Sequence, residues 1–186
     1  MKTIGILYLA IALVPAAHAQ ERAVNLETTV KATPAQAFAA WSTVDGIKTF
    51  FAPDGRIEAR SNGLYEIHMN PFAPPGEKGA DDMRVLAVQE NKMISFTWNA
   101  PPSLPETRKQ RTVVIVRFAP VGDTETKVTL HQVGWGDGGE WDKTFEYFGK
   151  AWGYVLGNFK KRFEQGPIDW TPQLERLKAA MAAQKK

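Results

Sequence analysis

Glu140 to Gln165 reads EWDKTFEYFGKAWGYVLGNFKKRFEQ. Its large apolar residues are Trp141, Phe145, Phe148, Trp152, Val155, Phe159 and Phe163, at successive steps of 4, 3, 4, 3, 4 and 4. That spacing holds all seven on one face of a helix. Gly166-Pro167 ends it, because glycine suits the C-terminal cap and proline cannot continue the ladder. A long helix with an aromatic stripe needs an apolar surface to lie on. The chain upstream predicts one.

Val24, Leu26, Thr28 and Val30 alternate with Asn25, Glu27 and Thr29, the period of a strand. Thr33-Pro34-Ala35-Gln36 then carries a capping threonine, a proline at the first helical position and a glutamine that completes a capping box. A short helix to Trp41 follows, and a second through Phe50 and Phe51, stopped by Pro53. Strands are expected at 56–59, 64–70, 82–90, 93–99, 111–119 and 124–133. Turns fall at Ser61-Asn62-Gly63, Asn91-Lys92 and Gly122-Asp123, and loops at 71–81 and 100–108. The order is one strand, two short helices, about six antiparallel strands and the long helix. It is an α+β arrangement: a curved antiparallel sheet with one buried face against the helix. A strongly curled sheet leaves a cavity where sheet and helix do not meet. Residues after Gly166 read as a shorter helix on the outside.

The N-terminus has the form of a secretory signal. Lys2 precedes an apolar run from Ile4 to Val14, Pro15 breaks it, and Ala17-His18-Ala19 offers small residues for cleavage before Gln20. The expected organisation is a signal peptide over 1–19, a single domain over 20–166 and a helical extension over 167–186. The expected location is the periplasm or the exterior. No cysteine is present, which excludes a lipoprotein anchor, thiol nucleophiles, cysteine-ligated zinc and iron–sulfur clusters. The net charge of +3 falls to +2 without Lys2, too little for a dedicated nucleic-acid binder. Arg108-Lys109 with Arg111, and Lys160-Lys161-Arg162, are short basic patches that read as solvated faces.

Several stretches resemble a known family. They are Val30 to Pro34, Ala37 to Trp41, Phe51-Ala52-Pro53, Ile94 to Trp98, Arg111-Thr112-Val113, Thr126 to His131 with Gly134-Trp135, and Trp152 with Val155-Leu156. In this order and spacing they are similar to the START-like helix-grip superfamily, in the branch named for the activator of Hsp90 ATPase. The resemblance implies a seven-stranded antiparallel sheet gripping the long helix, with apolar small molecules often held between them. Members include cyclases, dehydratases, carriers and a co-chaperone, so fold does not choose the activity. The signal peptide and the tail after Gly166 depart from the family pattern.

No catalytic constellation is evident. His68 and His131 are the possible polar site residues, since histidine titrates near neutrality. Neither has a carboxylate placed beside it by sequence, and the resemblance gives His131 a structural hydrogen bond near the helix start. Tyr65, Ile67 and Met69 form the more apolar face of their strand, which turns Glu66 and His68 outward. Asp137, Glu140 and Asp142 lack calcium-loop spacing and read as helix-start acids. No metal or cofactor is expected. Gly134 to Gly139 lacks a phosphate-loop pattern and reads as a gate over the cavity.

The aromatics carry the functional signal. Trp41, Tyr65, Trp98, Trp135, Trp141, Phe145, Phe148 and Trp152 are the ligand-cavity candidates, since large aromatics line apolar sites. The expected activity is binding of a small apolar or aromatic molecule in the sheet–helix cavity. A cyclase or dehydratase acting on such a ligand is the alternative, and a co-chaperone role a third reading.

Overall fold

A computed structural model describes residues 21–184. The signal peptide expected over 1–19 lies outside the described residues. The chain runs β1 (Val24–Val30), α1 (Pro34–Ser42), α2 (Val44–Lys48), β2 (Asp54–Ile57), β3 (Tyr65–His68), β4 (Gly79–Ala80), β5 (Val85–Gln89), β6 (Met93–Trp98), α3 (Pro105–Arg108), β7 (Thr112–Val121), β8 (Glu125–Val133), α4 (Glu140–Gln165) and α5 (Thr171–Gln184).

Five strands form an antiparallel sheet in the order β1-β8-β7-β6-β5, and β2-β3-β4 form a second, smaller one. The two are joined where Gly63 and Val85 meet. Val85 N–H donates to the Gly63 carbonyl at 2.9 Å, and Tyr65 N–H to the Met83 carbonyl at 2.8 Å. One bent surface results, and α4 crosses its concave side. This is the helix-grip fold. The implied seven strands are eight among the described residues, because the loop expected over 71–81 contributes Gly79–Ala80 to the β3 edge.

Local chemistry fixes the entry. Gln36 N–H donates to Thr33 Oγ1 at 3.3 Å and Thr33 N–H to Gln36 Oε1 at 2.9 Å, the expected capping box, typically worth about 1 kcal/mol. Thr43 Oγ1 caps α2 by accepting from Gly46 N–H at 3.0 Å. That helix ends at Lys48, before Phe50 and Phe51, which drop into the core through a turn. The strand expected from Asp82 begins at Val85, because Asp82 takes a left-handed φ of 57°. The loop expected over 100–108 closes with the single turn α3.

The core is aromatic. Trp41, Phe50 and Phe159 lie within 6 Å of one another, centroid to centroid. Tyr65 stacks on Phe96 at 3.9 Å. Phe148, Trp152, Val155 and Phe159 of the α4 stripe are buried, while Trp141, Phe145 and Phe163 at its ends are partly exposed.

Candidate functional site

Sheet and helix fail to meet at one place. A cavity of about 270 Å3 opens between Trp98 at the end of β6, Phe51 after α2, and Phe148, Ala151, Trp152 and Val155 of α4. Its rim is made by Asn70 and Glu77 to Ala80 on one side and Asn99 to Pro102 on the other. Exposed Glu77, Pro102 and Tyr147 mark the side open to solvent.

The aromatic walls are held from behind by a buried polar chain. The Trp152 indole N–H donates to Gln132 Oε1 at 2.6 Å. Gln132 Nε2 donates to Thr112 Oγ1 at 2.8 Å, and that hydroxyl donates to the Trp98 carbonyl at 3.2 Å. The Gln132 carbonyl also accepts from the Trp135 indole at 2.9 Å. Gln132 is fully buried, and both ends of its amide are satisfied. It fixes the tilt of Trp152 and, through Thr112, the strand end that carries Trp98.

The rim is stapled by Arg108. Its guanidinium donates to the carbonyls of Ala100 and Gly76, to that of Gly79 at 2.9 Å, and to Asp81 Oδ2 at 3.2 Å. Asp81 in turn accepts from the N–H groups of Gly76 and Gly79 at 3.1 and 3.0 Å. Burial pulls the Arg108 guanidinium below its ordinary pKa, and Asp81 opposes that shift. Gly79 sits at φ 151°, and a Cβ there would lie 2.4 Å from the Ile67 carbonyl, so only glycine fits. A second clamp ties α3 to the start of α4. Thr107 N–H donates to Glu140 Oε2 at 2.6 Å, and the Thr107 hydroxyl to the same oxygen at 3.0 Å. The backbone N–H of Thr107 is the chief reason that the Glu140 carboxyl lies below its usual range.

Of the eight aromatic candidates, Trp98, Phe148 and Trp152 border the cavity. Trp41 and Tyr65 are fully buried elsewhere in the core. The Tyr65 hydroxyl donates to the Trp41 carbonyl at 2.9 Å, serving one of the orphan acceptors at the end of α1, and burial pushes its pKa up. Trp135, Trp141 and Phe145 cluster at the start of α4, with the Arg22 guanidinium 5.0 Å from the Phe145 ring. The Gly134–Gly139 loop shares that location and borders none of the cavity. The rim loops are 70–80 and 99–102 instead.

Neither His68 nor His131 reaches the cavity wall. His68 faces away from Tyr65 and Ile67, as the strand pattern predicts. It is nonetheless only 6% exposed; its Nδ1 lies 3.3 Å from Asp54 Oδ2 across the β2–β3 pair and its Nε2 lies 3.8 Å from Glu66. Burial opposes ionisation of Asp54, but His68, the Gly55 backbone and Lys48 outweigh it and lower its pKa. His131 is on the outer face of β8 and pairs with Asn25 Oδ1 on β1, not with the start of α4. Asp137, Glu140 and Asp142 form no metal site: among the described residues no group of three potential ligands converges.

The cavity's remaining polar wall is sparse. Asn99 is buried, its side-chain amide makes no hydrogen bond among the described residues, and its Oδ1 is sealed from solvent. Glu77, Lys78 and Tyr147 stand at the rim.

The sequence profile described as activator of Hsp90 ATPase homolog 1-like protein matches residues 31–164. The chain belongs to that family. Comparison with curated proteins gives no match. Among solved structures, the protein MLL2253 from Mesorhizobium loti is 19% identical with a TM-score of 0.64, over 79% of this chain and 100% of that one. The Aha1 dimer from Colwellia psychrerythraea is 20% identical with a TM-score of 0.59, over 78% and 98%. CalU16 from Micromonospora echinospora is 15% identical with a TM-score of 0.58, over 84% and 81%. These likenesses show the START-like fold. In this activator-of-Hsp90-ATPase-like chain the matched region ends at 164, just before the α4 terminus, so residues 167–184 lie beyond it.

Proposed function

We propose that this chain is an exported binding domain that holds a small apolar or aromatic molecule between sheet and helix. The observation that carries the reading is the cavity of about 270 Å3 walled by Trp98, Phe148 and Trp152. An apolar cavity of roughly 150 Å3 takes a benzene ring, and drug-sized ligands fill about 300–1,000 Å3. A ligand of one or two rings fits this range. The titratable groups bordering the cavity are at its open rim, and His68 and His131 lie elsewhere, which favours binding over acid–base catalysis. Export rests on the Lys2, apolar run and Ala17-His18-Ala19 pattern, and it separates this chain from a cytosolic chaperone partner.

The test is a titration of the purified protein with 2-naphthol, read by quenching of tryptophan fluorescence. Saturable binding is expected, weakened at least fivefold in Trp152→Ala at unchanged secondary structure. Absence of saturable binding by the parent protein overturns the reading. Mass analysis of the secreted or periplasmic protein checks export, with Gln20 as the expected first residue.

A further inference from the structure

A second hollow adjoins the first. A groove of about 700 Å3 runs between α4 and the segment after it, bordered by Tyr147, Lys150 and Tyr154 on one side and by Trp170 and Gln173 on the other. Phe51, Met69, Tyr147, Ala151 and Val155 border both hollows, so the groove begins where the cavity opens. Tyr147, Ala151 and Tyr154 follow one another by 4 and 3 residues. They make a second apolar line on α4, beside the stripe that faces the sheet. Tyr147 is 45% exposed and Tyr154 70%.

The far wall is anchored. Ile168 N–H donates to the Thr49 carbonyl at 2.9 Å, the Trp170 indole to the Lys48 carbonyl, and Gln173 Nε2 to the Met69 carbonyl at 3.2 Å. Lys178 lies 5.3 Å from the Phe72 ring. Met69 and Phe72 flank Asn70 of the cavity rim, so the segment is fixed to the edge of the site itself. The charge in the groove is uneven. Lys150 is paired with Glu146 at 2.7 Å, whereas Lys143 has no carboxylate within 4 Å among the described residues. From Lys143 to Tyr154 the helix rises about 16 Å.

We infer that cavity and groove are one two-chamber site, that residues 167–184 are its outer wall, and that its ligand is an anionic amphiphile. The inference rests on reading the cavity as a ligand site. The arm of the ligand lies along Tyr147 and Tyr154 under Trp170, its flank faces the cavity mouth at Ala151 and Val155, and its acid group meets Lys143 at the other end of the groove. The long arm gains apolar contact that the inner cavity alone is too small to supply.

Two probes separate the chambers: 2-naphthol for the cavity, and dodecanoate below its micelle concentration for the groove at its mouth. Calorimetric titration of the full chain is expected to give tighter binding of dodecanoate than of 2-naphthol. Tyr154→Ser and Trp170→Ala are expected to weaken dodecanoate at least fivefold while leaving 2-naphthol within twofold. Lys143→Gln is expected to weaken dodecanoate about threefold and dodecanol not at all. Tyr154 and Lys143 project from the surface of α4, so those variants keep the test valid where Trp170→Ala loosens the segment. Unchanged dodecanoate affinity in Tyr154→Ser and Lys143→Gln, with 2-naphthol still bound, overturns the inference and leaves the cavity reading intact. A parent protein that binds neither probe overturns both.

Discussion

Gln132→Leu removes the residue that holds the cavity's rear wall, and its cost can be worked from the contacts. Trp152 is 1% exposed, and its indole N–H has Gln132 Oε1 as its partner. With leucine in place that donor stays buried and unpaired, at about 1–3 kcal/mol. The Thr112 hydroxyl also loses the Gln132 amide as donor but keeps the Trp98 carbonyl, a loss of about 1 kcal/mol. The sum, about 2–4 kcal/mol, corresponds to a fall in Tm of roughly 5–15 °C for a chain of this length. Side-chain volume is nearly kept, so a packing defect is a small part of this. A double-mutant cycle isolates the hydrogen bond. In a Trp152→Phe background no indole N–H is left to orphan, so Gln132→Leu is expected to cost about 1–2 kcal/mol less there than in the parent. Urea unfolding of the four proteins measures this coupling. A coupling below about 0.5 kcal/mol would refute the argument that Gln132 acts through the Trp152 indole.

Two other outcomes follow from groups around the site. Tyr65→Phe leaves the Trp41 carbonyl without its donor in a fully buried position, so thermal unfolding is expected to show a loss of about 1–2 kcal/mol; an unchanged Tm contradicts the role given to this hydroxyl. Glu140 gives the clamp between α3 and α4 an acid dependence. Its folded pKa lies below the ordinary 4.5, so its contact with Thr107 contributes fully above that value and is lost as pH falls through the folded pKa. The Tm difference between the parent and Glu140→Gln is therefore expected to be constant above about pH 5.5 and to shrink below about pH 4, and a difference that grows on acidification has the wrong sign for this clamp.

The long helix was legible because its signal is local and repeated. Seven apolar residues at helical steps define both the element and the face it buries. The same pattern could not say what each aromatic meets. Trp41 and Trp152 are both buried, yet one is surrounded by Phe50, Phe51 and Phe159, and the other walls a cavity. Burial leaves a periodic trace, and partnership does not. The two-residue strand Gly79–Ala80 is too short to show a period, and the turn α3 is hidden among prolines. Arg108 joins residues 27 to 32 positions away, a connection with no local pattern at all. Gln132 did leave a trace. In β8 the inward positions are Thr126, Val128, Leu130 and Gln132, all buried. A glutamine at the end of an inward series requires polar partners in the core, and the nearby tryptophans are the natural donors.

The position of these polar residues explains how the cavity persists. A dry, closed void of 270 Å3 would cost about 6 kcal/mol, comparable with the net stability of a whole domain. The open rim admits water and lowers that figure, but side chains that could swing inward would still tend to fill the space. They are prevented from doing so at their outer edges. Trp152 is held by Gln132, the strand end at Trp98 by Thr112, the rim loops by Arg108 with Asp81, and α3 by Glu140. The hydrogen bonds lie behind the walls or at the rim, so the cavity-facing edges of Trp98, Phe148 and Trp152, which pack on one another, form an apolar lining. Since the walls are already ordered, a ligand entering gives up little side-chain entropy on the protein's side. On the proposed function, apolar surface at the cavity mouth that is wet in the free protein would supply binding energy, and the hydrogen bonds behind the walls would keep that surface in place.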